Sequence, residues 1–231
     1  MSAVRIPRVP PLESPAHPPL PRRIRLKLRR IYRDITGPRI ERDWFRARRN
    51  VITIQGWLTP NQERWLFETA YLLPDSSAIV EIGSFKGRST CCLASACRGT
   101  QKRVYAVDTF CGNDSDFGYQ DFFADFAGNM ARVRLSKYVH PIRGKSPDAA
   151  KNWNIPIHML FIDGSHEYSD VLADFELFFP HVVPGGIIAF HDVNEGWPGP
   201  LRVWNETAKH RLTATGFSDY LAFGRKPGGN L

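Results

Sequence analysis

The chain has 231 residues, 42% apolar, with a mean hydropathy of −0.32. That is enough for one domain with a sizeable core and an appendage, and no apolar run approaches the roughly 20 residues of a membrane span. The formal net charge of +8 is uneven: residues 1–50 hold 14 Lys+Arg against 4 Asp+Glu, a net of +10, which leaves −2 for the remainder.

Residues 1–21 are proline-rich and aperiodic, which predicts an extended tail. No apolar stretch of about 7 to 15 residues follows Met1, so a secretory leader is not expected. Arg22 to Arg33 reads as a short basic helix with Ile24, Leu28 and Ile31 on one side. It suits an anionic membrane surface or nucleic acid, and equally a solvated arm docked on the domain. The predicted division is a basic extension over 1–50 and a folded domain over 51–231.

Thr59-Pro60-Asn-Gln-Glu63 is a helix start, with Thr59 as cap and Pro60 in the first turn, and the helix is expected to run to about Leu73. Ile79 to Cys92 reads strand, tight loop, helix: an apolar run closes on Glu81, Gly83 and Gly87 permit the turn, and the helix begins near Ser89. Such a loop is expected to present backbone N–H groups to a ligand. A dinucleotide fingerprint needs glycine where Phe85 stands, and a Walker A loop needs its lysine after the second glycine, whereas Lys86 precedes Gly87. Glu81, placed at the loop mouth, would repel phosphates and attract a sulfonium or ammonium group, which favours S-adenosylmethionine (SAM).

Four cysteines, Cys91, Cys92, Cys97 and Cys111, show no redox or zinc spacing, so a reduced cytoplasmic protein is expected. A second strand, Arg103 to Val107, ends at Asp108, an acid suited to a ribose. Asp121 to Leu135 is an amphipathic helix whose Phe122, Phe123, Phe126 and Met130 read as core. Further strands are expected at Tyr138 to Ile142, His158 to Ile162 and Gly185 to Asp192. Short strands alternating with helices argue for a parallel sheet covered on both faces, with ligands beyond the strands' carboxyl ends. Glu81, Asp108, Asp163, His166, His191 and Asp192 all fall there.

Three stretches carry a resemblance: Glu81-Ile-Gly83-Ser84-Phe-Lys-Gly87, Asp163-Gly-Ser-His166, and Gly185-Gly through His191-Asp192. Over roughly Gln55 to Lys226 the chain resembles class I SAM-dependent methyltransferases, especially the macrocin and mycinamicin sugar O-methyltransferases and more distantly catechol O-methyltransferase. The resemblance implies a three-layer, Rossmann-like α/β domain with a mostly parallel, seven-stranded sheet finished by Gly216 to Lys226. It implies SAM held by Glu81, Gly83, Ser84, Gly87, Asp108, Thr109, Ser146 and Asp163. It also implies a divalent cation, magnesium or manganese, on Asp163 and Asp192, with His166 as general base and Asp163 in the catalytic set.

One position departs from the sugar enzymes, where glutamate usually precedes the second aspartate. Here it is His191, which as a ligand shifts preference toward manganese, iron or zinc or else acts as a second base. Phe110, Tyr168, Trp197 and Trp204 are candidate walls for the acceptor. The expected function is O-methylation of a hydroxyl on a sugar or other small natural product. A nucleic-acid-associated methyltransferase or binding module using the basic arm is the alternative. Expected partners are the small-molecule hydroxyl acceptor, an anionic surface contacting residues 22–50, and a second copy of the chain.

Overall fold

A computed structural model describes residues 38–112 and 120–228. The basic segment Arg22 to Arg33 lies outside the described residues. Helix α1 (Arg39–Val51) is followed by α2 (Pro60–Tyr71), β1 (Ala78–Ile82), α3 (Arg88–Ser95), β2 (Arg103–Asp108) and α4 (Phe123–Arg132). Then come β3 (Val139–Arg143), α5 (Ser146–Lys151), β4 (Ile157–Ile162), α6 (Tyr168–Phe178), β5 (Val182–Phe190) and α7 (Pro198–Val203). A π turn (Trp204–Ala208) and a short α8 (Lys209–Arg211) lead into β6 (Thr213–Ser218) and β7 (Leu221–Arg225). Among the described residues no helix is long and apolar enough to cross a membrane.

The seven strands form one sheet in the order β3-β2-β1-β4-β5-β7-β6. β1 to β5 are parallel, and β7 runs antiparallel to both β5 and β6. From β1 the chain first moves outward through β2 and β3, then returns to β4 on the opposite side. The direction of winding therefore reverses between β1 and β4, the place where open α/β sheets leave a crevice.

Every residue of β1 is buried, as in a sheet covered on both faces. The pleat sends Ile79, Met159 and Phe161 to a core shared with α1, α2 and α3, and Val80, Leu160 and Ile162 to one shared with α6 and the Trp204 turn.

Helix α1 overturns the expected boundary between residues 50 and 51. Trp44, Ala47 and Val51 recur at helical spacing, are buried in the first core, and Trp44 packs 5.3 Å from Phe67 between ring centroids. The arginines lie on the remaining faces of a helix that belongs to the domain. Helix α2 begins as the sequence indicates: Thr59 caps it, Pro60 opens it, and Gln62 closes a capping box with the Thr59 backbone. The segment Gly216 to Lys226 contains the turn and return strand of a β6–β7 hairpin.

Candidate active site

Hydrogen bonds hold the strand ends abreast. Gly83 N–H donates to Val107 O at 2.9 Å, Asp163 N–H to Ile82 O at 2.8 Å, and His191 N–H to Ile162 O at 3.0 Å. Gly83 has φ of 84°, and a Cβ there would lie 2.1 Å from the Asp163 carbonyl oxygen, so only glycine admits the loop after β4. The loops after β1, β2, β4 and β5 thus open on one cleft of about 1200 Å³. That exceeds the roughly 300–1,000 Å³ usual for a single small ligand.

Gly83, Ser84, Asp108, Thr109, Ser146, Asp163, His166, His191 and Asp192 all line this cleft. Two predicted cofactor residues do not. Gly87 caps α3 with φ of 92°, and a Cβ on it would meet Met130 Cε at 2.7 Å, so its smallness serves packing on α4. Glu81 has no exposed surface; one carboxylate oxygen accepts from the hydroxyls of Ser84, at 2.7 Å, and Thr90. Burial pushes its pKa up to about 7 despite hydrogen bonds from Ser89, Thr90 and Ser84, with the nearby Asp163 charge adding to the rise. Glu81 braces the loop from behind and does not reach its mouth.

The loop's N–H groups are also spent differently from the expectation. Asp108 Oδ2 accepts from Ser84 N–H at 2.6 Å and Phe85 N–H at 2.7 Å, while Oδ1 accepts from Phe110 N–H at 2.6 Å. The acid that ends β2 therefore organises the glycine loop, and still faces the cleft with acceptor capacity on Oδ1.

At the far end of the cleft, Ser146 at the start of α5 donates to Asp174 Oδ1 on α6. Asp174 lines the cleft although it is almost fully buried, and burial raises its pKa to about 6. Its spacing on an otherwise apolar helix face was the available sequence signal. Of the four candidate wall residues, Phe110 and Trp197 line the cleft. Trp204 is buried against Phe190, and Tyr168 lies beneath the Arg202 guanidinium. Trp57 and Tyr220, unmarked in the sequence, also line it.

The opposite end holds the ionisable set. His191 Nδ1 is 2.9 Å from both Asp163 Oδ1 and Asp192 Oδ2, and its Nε2 is 3.1 Å from Gln62 Oε1. His166 Nε2 is 3.2 Å from the same Asp192 oxygen, with Trp197 stacked on its ring at 3.8 Å between centroids. Burial pushes the Asp192 carboxyl up, but hydrogen bonds from His166 and His191 outweigh it and bring the pKa to about 2. Burial lowers His191, yet the two carboxylates more than reverse this and hold it at about 10, while burial leaves Asp163 raised. The buried imidazole thus turns Nδ1 toward two carboxyl groups that favour its charged form.

Asp163, His191 and Asp192 each offer one ligand atom, all within 4.8 Å of one another. Two carboxylate oxygens and one imidazole nitrogen suit a borderline divalent ion such as manganese, iron or zinc. With Nε2–H committed to Gln62, Nδ1 is the atom left for coordination. The residues fit a cation.

Residues 80–193 match a family described as a methyltransferase domain. That stretch of the chain is similar to a methyltransferase domain. The matched span runs from β1 to just past Asp192 and includes every strand end that meets at the cleft. An uncharacterized protein of Sinorhizobium fredii is 32% identical over 139 residues, 58% of this chain. An uncharacterized protein of Acanthamoeba polyphaga mimivirus is 28% identical over 127 residues, 52% of this chain. The alignments span only 15% and 53% of those two relatives.

Among solved structures, the cofactor-bound Rv0187 from MTB superposes with a TM-score of 0.61 at 18% identity, covering 92% of this chain and 100% of that one. The O-methyltransferase TomG of Streptomyces achromogenes, in complex with SAM, gives 0.58 at 17% identity, covering 91% and 100%. At these identities the likeness is one of fold: the seven-stranded, mostly parallel sheet is that of the class I methyltransferases.

Proposed function

We propose that the protein is a methyltransferase acting on oxygen, transferring the methyl group of SAM to a hydroxyl of a sugar or other small natural product with the help of a divalent cation. The observation that carries this reading is the single Asp192 carboxylate oxygen shared by His166 and His191 inside the cleft. Gly83, Ser84, Asp108, Thr109 and Ser146 hold SAM, with Asp108 toward the ribose and Ser146 toward the base. Asp163, His191 and Asp192 hold the cation. TomG, a similar fold, is named as an O-methyltransferase of tomaymycin synthesis.

SAM supplies an activated methyl group, and a bound divalent cation lowers the pKa of a coordinated hydroxyl. The chain's own residues must then orient the acceptor and remove its proton. Asp192 is ionised and can only accept, so His166 Nε2 carries a hydrogen toward it. That leaves His166 Nδ1 as the nitrogen that takes the acceptor proton, with Asp192 steadying the imidazolium that results, the division of labour seen between carboxylate and histidine in hydrolytic triads. Trp57, Trp197 and Tyr220, large exposed apolar side chains at the rim, offer flat faces to a ring-shaped acceptor and keep water from the reacting oxygen.

The test is thermal stability with and without SAM, each in magnesium, manganese and EDTA. Ligands that bind the native state raise the midpoint by mass action. SAM is expected to stabilise, and a metal to add to that in wild type but not in Asp163→Ala. Stabilisation by SAM with no response to any metal would remove the cation from the reading.

A further inference from the structure

Gln62, 129 residues before His191, has no exposed surface and sits at the third position of α2. Its Oε1 accepts the Thr59 backbone N–H at 2.9 Å, which closes the capping box of the helix. A backbone N–H can only donate, so the atom facing it is the oxygen, and the orientation of this amide is fixed by the fold. The same oxygen faces His191 Nε2 at 3.1 Å. His191 Nε2 must therefore carry a hydrogen, and Nδ1 is the ring atom addressed to Asp163 and Asp192.

Packing alone would not choose this arrangement. A half-turn of an imidazole about Cβ–Cγ occupies nearly the same volume, and this torsion is broad and roughly two-fold. Phe161 and Tyr220 meet the ring with interplanar angles of 75° and 61° and would accommodate either orientation. In the reversed ring a carbon replaces Nδ1 between the two carboxylates.

The Gln62 amide nitrogen is meanwhile buried without a partner, a position where an unpaired donor is unfavourable. Glutamate would close the same capping box without that orphan, but would set a third carboxylate against an imidazole already flanked by two.

We propose that Gln62 is a positioning residue: its side-chain oxygen, locked by the cap of α2, holds His191 by Nε2–H and so dedicates Nδ1 to the Asp163–Asp192 pair. The consequence for metal affinity rests on the proposed cation site; the contact itself does not. Groups that orient a metal-ligating histidine in this way typically change metal affinity about 10- to 100-fold when removed.

The experiment uses the full chain with ¹⁵N-histidine labelling, assigned by His191→Ala. Long-range proton–nitrogen spectra identify the protonated ring nitrogen, and calorimetry measures zinc ion alone and, separately, S-adenosylhomocysteine. Wild type is expected to show a slowly exchanging Nε2–H on His191. Gln62→Leu is expected to lose that signal and to bind zinc at least tenfold more weakly, with S-adenosylhomocysteine affinity within twofold of wild type. Gln62→Glu, which retains the cap and an acceptor, is expected to restore the Nε2–H signal and the zinc affinity.

If Gln62→Leu does not fold, as judged by loss of S-adenosylhomocysteine binding, Gln62→Asn, one methylene shorter, is read in its place. Retention of the Nε2–H signal with zinc affinity within twofold in the leucine or asparagine variant would overturn the proposal. Failure of Gln62→Glu to restore the signal would do the same. Absence of any zinc binding in wild type would sink the cation reading while the nitrogen spectra still decide the contact.

Discussion

His166 Nε2 and Asp192 Oδ2 stand 3.2 Å apart, and Trp197 stacks on the imidazole. One partner thus fixes a nitrogen and the other fixes the plane of the ring. His166→Gln is expected to lower kcat by roughly 10²- to 10⁴-fold, the usual contribution of a positioned base. SAM affinity measured by calorimetry should stay within about twofold, because the SAM contacts proposed above, Gly83, Ser84, Asp108, Thr109 and Ser146, lie on other loops. Turnover within about threefold of wild type would mean that the proton leaves by another route.

Burial of Glu81 predicts a pH dependence of stability with a definite sign. Its pKa is raised from 4.5 to about 7 by burial, so the folded state holds a proton that the unfolded state releases. This contribution is complete below the unfolded pKa and is lost as pH rises through 7. Urea unfolding at pH 5 and pH 8 should show wild type losing up to about 3 kcal/mol relative to Glu81→Gln over that interval. Parallel pH profiles for the two proteins would refute the assignment.

Removal of the Asp108 side chain should be felt twice. Asp108→Ala strands the N–H groups of Ser84, Phe85 and Phe110, with an expected stability loss of roughly 1–3 kcal/mol in denaturant unfolding. It also removes the proposed ribose acceptor, so affinity for S-adenosylhomocysteine should fall at least about tenfold, the worth of one charge-assisted hydrogen bond. Wild-type affinity in this variant would exclude Asp108 from cofactor binding.

Two glycines with positive φ make a controlled pair. A methyl on Gly83 would collide with the Asp163 backbone, whereas nothing lies within 4 Å of one on Gly99. Gly99→Ala should therefore lose only about 1 kcal/mol, from backbone strain. Gly83→Ala should lose about 3 kcal/mol or more. Equal losses in urea unfolding would show that the collision is relieved by movement of the β4 loop.

Local signals in the chain were readable where local physics decides them. Thr59 and Pro60 mark the start of α2 because capping depends on neighbours three residues apart. The strand ends at Asp108, Asp163 and His191 follow from short apolar runs closing on polar residues. Helix α1 was hidden by its charge: four arginines between Arg42 and Arg49 look like a solvated arm unless Trp44, Ala47 and Val51 are read at their own spacing.

Other relationships depend on distance in three dimensions. Glu81 looks like the mouth of a loop in sequence, but Ser84 and Thr90 fold back over it and seal it from the cleft. Gln62 was legible as a helix-start residue and not as a partner of His191, because that contact exists only once α2 crosses the end of β5. The inward turn of Asp108 was hidden for the same reason: its partners are backbone groups on another loop.

The contact between Gly83 and Asp163 also limits how the protein can move. With backbone packed on backbone, the loops after β1 and β4 behave as one rigid block, and neither can shift to admit a ligand without carrying the other. Adjustment during a reaction cycle falls instead to the stretch around Trp57, where the neighbouring Gly56 meets only the Arg88 side chain and no backbone. Reporter labels there should register binding, while the floor of the site stays still.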